Sequence, residues 1–202
     1  MKSELYTPDF FVLEQKSNRL DRIYTAAIFD QKGNCVVSAK RKELNSRQKF
    51  ISFFLPSVFS YSVELKNSEG KTESTIIQEK VLNSTLTIKN NEGATLGKLI
   101  SRLKFLKLHY EAVNDAEEII FEIHGDRNSL EFKIIDNSQK QIGLIKKDWK
   151  GTAKEILNAS KTFKIQINSH FCKPEYKMLI LSSAVAINIA LINMENSRSE
   201  RD

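Results

Sequence analysis

Apolar and polar residues alternate along most of this chain in short stretches, and the stretches come in pairs joined by turns of one pattern. Ile23 to Phe29 leads through Asp30-Gln-Lys-Gly33 into Cys35 to Lys42. Val58 to Lys66 leads through Asn67-Ser-Glu-Gly70 into Thr72 to Glu79, and Ser84 to Lys89 through Asn90-Asn-Glu-Gly93 into Thr95 to Lys104. Leu130 to Ile135 leads through Asp136-Asn-Ser-Gln139 into Gln141 to Lys147. Asp and Asn tolerate turn conformations, and Gly supplies the positive φ that tight hairpins need. The register repeats as well: Gly97 follows Gly93, and Gly143 follows Gln139, at the same interval. The pattern predicts related hairpins in a mostly antiparallel sheet.

Phe10 to Leu13, Lys49 to Leu55, Leu106 to Val113, Glu117 to His124 and Thr162 to Asn168 are further strand candidates. The total is about a dozen strands. Arg102 and Lys104 share one face with Leu103 and Phe105 on the other, and the phase then shifts to Lys107 and His109 against Leu106 and Leu108. A bend or bulge near Phe105 accounts for that shift.

The last apolar segment behaves differently. Pro174 to Met194 reads PEYKMLILSSAVAINIALINM, broken only by Ser182, Ser183, Asn188 and Asn193, which point in different directions on a helical wheel. A helix that is apolar all round is buried, in a protein or in a membrane. Pro174 at the first position and Glu175 in the first turn suit a helix start. The apolar core is about 15 residues, short of the ~20 that cross a bilayer, which favours enclosure by protein. A second, short helix is expected from the capping box Thr152-Ala-Lys-Glu155 to about Asn158. Many strands around one apolar helix predict a closed antiparallel β-barrel of about 12 strands with the helix at its centre, mainly β in class. Residues 1–9 read as a flexible tail, 10–195 as a single domain and 196–202 as a polar tail.

The 202 residues are 41 % hydrophobic, enough for a sizeable core, and the net charge is +6. That excess suits anionic lipid or nucleic acid, or simply a lysine-rich exterior. Met1 to Pro8 is polar and does not read as a signal peptide. A cytoplasmic location, peripheral at a membrane, follows, with Cys35 and Cys172 as reduced thiols rather than a disulfide. The sequons at Asn83 and Asn158 are then accidental.

Phe132-Lys-Ile-Ile-Asp136, Ile142-Gly-Leu-Ile-Lys-Lys-Asp-Trp-Lys-Gly151, Glu155, Phe163-Lys-Ile-Gln166 and the terminal apolar helix resemble the phospholipid scramblase family and its LURP-one-related and Tubby C-terminal-like relatives. Tyr24 to Lys40 is similar to that family's earlier hairpin. The resemblance implies a 12-stranded barrel around a central helix, in agreement with the periodicity. It also implies a calcium-binding acidic segment just before Phe163, but Ala159 and Lys161 stand where aspartates are expected. Calcium needs several hard oxygen ligands, and a lysine opposes binding, so no calcium site is expected there. The family's Pro-rich, Cys-bearing N-terminal extension has no counterpart, and with it goes the obvious palmitoyl anchor.

Lys98, Arg102, Lys104 and Lys107, with Lys146, Lys147 and Lys150 of the later repeat, are the candidate lipid-headgroup residues. Tubby-like domains bind phosphoinositide headgroups through basic surfaces, and these two groups would form one surface if the repeats occupy similar positions. The bland alternative is a solvated barrel exterior. His109, His124 and His170 lack metal-ligand spacing, His170 and Cys172 are too few for zinc, and no metal or other cofactor is expected. Cys172 has no identifiable base, Trp149 suits a structural plug, and no acid, base and nucleophile converge. The expected function is therefore a non-catalytic, calcium-independent, scramblase-like barrel on anionic phospholipid. A barrel that binds a protein partner is the alternative, and a nucleic-acid module ranks last because no RNA-binding signature is visible.

Overall fold

The paired stretches form hairpins that close on themselves. The computed structural model describes residues 9–16, 24–42, 61–78, 85–104, 107–126, 130–147, 162–168, 170, 172 and 174–199. Among these lie twelve strands: β1 (Phe10–Gln15), β2 (Thr25–Asp30), β3 (Cys35–Arg41), β4 (Tyr61–Lys66), β5 (Thr72–Gln78), β6 (Thr85–Asn90), β7 (Thr95–Lys104), β8 (Lys107–Val113), β9 (Ile119–Asp126), β10 (Glu131–Asp136), β11 (Gln141–Lys147) and β12 (Thr162–Ile167). One long helix, α1 (Pro174–Ser199), follows. Each strand from β2 to β12 pairs with its sequence neighbour, and β1 closes the barrel between β12 and β2. All pairings are antiparallel; the seam runs from Phe10↔Gln166 to Glu14↔Thr162 on one side and from Phe11↔Asp30 to Gln15↔Ala26 on the other. Closure leaves no edge among the described strands to recruit another chain.

The turns explain the repeat. Asp30 Oδ1 accepts backbone N–H bonds from Lys32 at 2.9 Å and Asn34 at 2.8 Å. Asn67, Asn90 and Asp136 each accept the two equivalent bonds. The fourth turn residue takes positive φ: Gly33 at 80°, Gly70 at 79° and Gly93 at 84°, but also Gln139 at 63°. Each turn is followed by a register shift, as at Ile28/Phe29 and Leu65/Lys66, the extra residue that such turns place beside the hairpin. A fifth turn of the same build, Asn114 to Glu117, joins β8 to β9, with Glu117 at φ 62° where the others favour Gly.

The phase shift after Lys104 is a chain reversal, not a bulge within one strand. Lys104 pairs with Lys107, so β7 and β8 form a hairpin with two residues between them. The barrel interior is filled by inward rows, among them Phe11, Leu13, Ile28, Leu65, Ile76, Ile88, Phe121, Phe132 and Phe163, all fully buried. Helix α1 occupies the centre, nearest β5, β7 and β12. It continues to Ser199, so the first residues of the expected polar tail extend the helix. The window Tyr176–Asn193 is long and apolar enough to cross a membrane by length and composition, and 78 % of it is buried inside the barrel.

Each buried polar side chain of the helix has a partner. Ser182 Oγ lies 2.9 Å from Ser74 Oγ of β5, and Tyr24 Oη donates to Asn188 Oδ1 at 2.8 Å. Ser183 Oγ donates back to the Leu179 carbonyl at 2.8 Å. Lys177, 2 % exposed, reaches Asp9 beside β1 at 3.4 Å. Gly97 gives the helix room: a Cβ there would stand 3.1 Å from Leu179 Cδ2. The expected Lys49 to Leu55 strand, the Thr152 to Asn158 helix, Trp149, and Ala159 and Lys161 lie outside the described residues.

Candidate anionic-ligand surfaces

The basic residues singled out from sequence fall into two separate groups. Lys98, Arg102, Lys104 and Lys107 belong to β7 and β8; Lys146 and Lys147 belong to β11. Going round the barrel from β11, the chain passes β10, β9 and β8 before β7, a third of the circumference. Equivalent repeat positions thus point in different directions, and the two groups do not share one face. Lys150 lies outside the described residues.

Three of these cations, Lys98, Arg102 and Lys146, are paired with acids. Lys98 Nζ lies 3.7 Å from Asp115, Arg102 Nε 3.0 Å from Glu111 Oε2, and Lys146 Nζ 3.0 Å from Glu131. Such exposed pairs add little stability, but the paired carboxylates reduce the local positive field that a headgroup would meet. Lys147 follows inward Gly143 and Ile145 in the strand alternation and is only 5 % exposed. It is placed at the barrel end rather than on the outer wall.

A stronger positive concentration lies on the far side, over β2, β3 and β4. There a cleft of about 540 Å³ is lined by Lys16, Lys40, Arg41, Lys42 and Lys66, with Glu64 as the single carboxylate in the lining. The cleft arises from side-chain size. Thr25, Ala27 and Ser38 are the outward residues of adjacent strands, with Ala27 opposite Ser38 and Thr25 opposite Lys40. Their short side chains form a floor, and the long cations rise around it, Ser38 and Lys40 facing Lys66 and Glu64 across the β3–β4 pair. Lys66 Nζ sits 3.2 Å from Glu64, and Lys16 Nζ lies 5.4 Å from the centre of the Phe29 ring. Exposed Cys35 is at the rim and is a free thiol, as is buried Cys172. The arrangement suits a multivalent anion of headgroup size, met by several cations on extended stems. Sequence reading missed it because its residues come from four segments; the visible signal was the run Lys40-Arg41-Lys42.

A third cluster joins β8 and β9. His109 stands opposite His124, and Glu111 opposite Glu122. Linear spacing gave no hint of this meeting.

Comparison with known proteins agrees with the architecture. Solved structures share the fold; one, an X-ray structure of a protein from Arabidopsis thaliana, matches with a TM-score of 0.55 at 11 % identity, over 92 % of this chain and 94 % of that one. No match was found among curated proteins. The family model for Scramblase matches residues 12–192, from the first strand of the barrel to the last turns of its central helix. With the twelve-stranded closed barrel and its enclosed helix, this match identifies the chain as a member of the scramblase family.

Proposed function

We propose that this protein is a non-catalytic, scramblase-like barrel that associates peripherally with membranes by binding anionic lipid headgroups, without calcium. The cleft over β2, β3 and β4 carries the reading, because its lining gathers five cations around one carboxylate. Family membership supports a phospholipid ligand. Each well-placed basic residue near an anionic surface contributes about 1 kcal/mol. Calcium independence rests on Ala159 and Lys161 at the positions where the resemblance expects carboxylates.

Co-sedimentation with vesicles tests the proposal. Binding should require anionic lipid, weaken with salt and ignore calcium. Lys40→Gln with Lys66→Gln should weaken it by roughly 2 kcal/mol, about thirtyfold, whereas Lys98→Gln with Lys146→Gln should change it little. Binding only with calcium would refute the calcium reading, and no binding to any vesicle would move the search to a protein partner. A second arm asks whether the helix must leave the barrel. In a Cys35→Ser, Cys172→Ser background, Ser74→Cys with Ser182→Cys places two sulfurs where hydroxyls now stand 2.9 Å apart. The oxidised, locked protein should bind vesicles as well as the reduced one; loss of binding on oxidation would mean that the helix moves into the lipid.

A further inference from the structure

We propose that the outer wall of β8 and β9 carries a binding site for a first-row divalent transition metal, Zn²⁺ as the type, with His109, Glu122 and His124 as ligands. The site is built by strand register. β8 presents His109-x-Glu111 on its outer face, and β9 presents Glu122-x-His124 in the opposite direction. Pairing therefore sets imidazole against imidazole and carboxylate against carboxylate. One ligand atom from each of His109, Glu122 and His124 lies within 4.8 Å of the other two. His124 Nε2 is 2.7 Å and His109 Nε2 3.5 Å from the same oxygen, Glu122 Oε2. The two rings are 4.6 Å apart between centroids and inclined at 52°.

Those separations suit a small ion. Zinc bonds of about 2.0–2.2 Å in a tetrahedron put neighbouring ligand atoms roughly 3.3 Å apart. The contacts at 2.7 Å and 3.5 Å bracket that value and the remaining pair of ligand atoms lies within 4.8 Å, so rotation of the side chains is the adjustment that seating an ion would ask for. Electrostatics point the same way. Like charges directly opposite across a strand pair are destabilising, and Glu111 faces Glu122. Arg102 Nε bonds Glu111 Oε2 at 3.0 Å, while the other Glu111 oxygen lies 3.7 Å from His109 Nε2. Glu122 has the two imidazoles as its neighbours, and a cation held between them neutralises it. Two imidazole nitrogens select zinc, copper or nickel over hard calcium or magnesium. The fixed wall of the barrel pre-orients the ligands, with His109 only 14 % and Glu122 28 % exposed. The fourth position faces solvent, open to water or to a ligand from a partner.

The test uses the full chain freed of metal with a chelator and titrated with ZnCl₂ by calorimetry, and with Co²⁺ read by visible absorption. One equivalent should bind, and Co²⁺ should give the intense bands of a low-symmetry tetrahedral site. His124→Ala, at the most exposed ligand, and Glu122→Gln should each weaken binding at least tenfold with an unchanged circular dichroism spectrum. His170→Ala and Cys172→Ser should leave it intact. No saturable binding, or binding that survives His124→Ala but is lost in His170→Ala, overturns the assignment. Because vesicle binding is read separately, the metal site and the lipid reading fail or hold independently.

Discussion

The hydrogen bond between Tyr24 and Asn188 joins the barrel wall to the central helix and makes a quantitative prediction. Tyr24 is 9 % and Asn188 2 % exposed, and Oη donates to Oδ1 at 2.8 Å. Tyr24→Phe removes the donor but keeps the ring, so the cost is the bond plus a buried amide oxygen deprived of this partner. Groups so deprived cost about 1–3 kcal/mol. Asn188→Leu keeps the volume close and leaves the tyrosine hydroxyl facing an apolar group, at a similar cost. The double variant replaces both partners by apolar groups, which is close to neutral for a matched pair. Urea unfolding, followed by far-ultraviolet circular dichroism, should therefore give single-variant losses of about 1–3 kcal/mol each and a double-variant loss well below their sum. The coupling should be about 1 kcal/mol or more. Additive losses, with a coupling below about 0.3 kcal/mol, would refute the pairing and with it this registration of the helix.

Four further outcomes follow from the turns and the packing. At Gly70 nothing lies within 4 Å of an added Cβ, so Gly70→Ala loses stability only through its φ of 79°, by about 1 kcal/mol in thermal or urea unfolding. Gln139→Gly, at φ 63°, should gain up to about 1 kcal/mol for the same reason. Asp30 is held below its ordinary 3.8 by the Asn34 side-chain hydrogen bond first, then by the backbone bonds from Asn34 and Lys32. Its contribution is present above that value and is lost as pH falls through the lower folded value; Asp30→Asn, matching Asn67 and Asn90, should flatten this part of the acid unfolding curve. Gly97→Val puts methyls where a Cβ already meets Leu179 Cδ2 and the Val113 carbonyl at 3.1 Å, and should cost about 1–3 kcal/mol by overpacking the helix seat.

The parts legible in sequence are those set by local physics. An Asp or Asn that caps two backbone N–H groups leaves a mark at fixed spacing, so four hairpins could be read directly. The fifth escaped because Glu117, which holds the left-handed position of that turn, reads as the first residue of the following strand, which in fact begins at Ile119. The β7–β8 reversal escaped because Phe105 and Leu106 carry no turn chemistry, leaving only a change of phase. The sites depend on longer range. The cleft needs the register that lines up Thr25, Ala27 and Ser38 beside Lys40 and Lys66. The His109 and His124 meeting needs a cross-strand pairing, which helix-type ligand spacing does not describe. The supposed single basic surface dissolved for a related reason: successive hairpins advance around a closed wall, so equal positions in the repeat are unequal directions in space.

The helix itself poses a sharper problem than burial. An apolar cylinder fits a bilayer or a barrel equally well in hydrophobic terms, and within either it has no preferred rotation or depth. Polar side chains supply what the apolar surface lacks. Lys177 meets Asp9 beside β1, Ser182 meets Ser74 on β5, and Asn188 meets Tyr24 at the start of β2. These contacts lie at three heights along the helix and on two sides of the wall, the adjacent β1 and β2 on one and β5 on another, so together they fix both depth and rotation. In lipid the same groups would be left to partner one another, at a cost of several kcal/mol for each that failed. In the barrel each is matched, and Ser183 is satisfied within the helix. The sequence features that interrupt the apolar run are thus the ones that specify the enclosed state. On the proposed reading, contact with a membrane falls to the outer wall, where cations gather over β2, β3 and β4 and where Lys98, Arg102 and Lys146 of β7 and β11 are paired with acids.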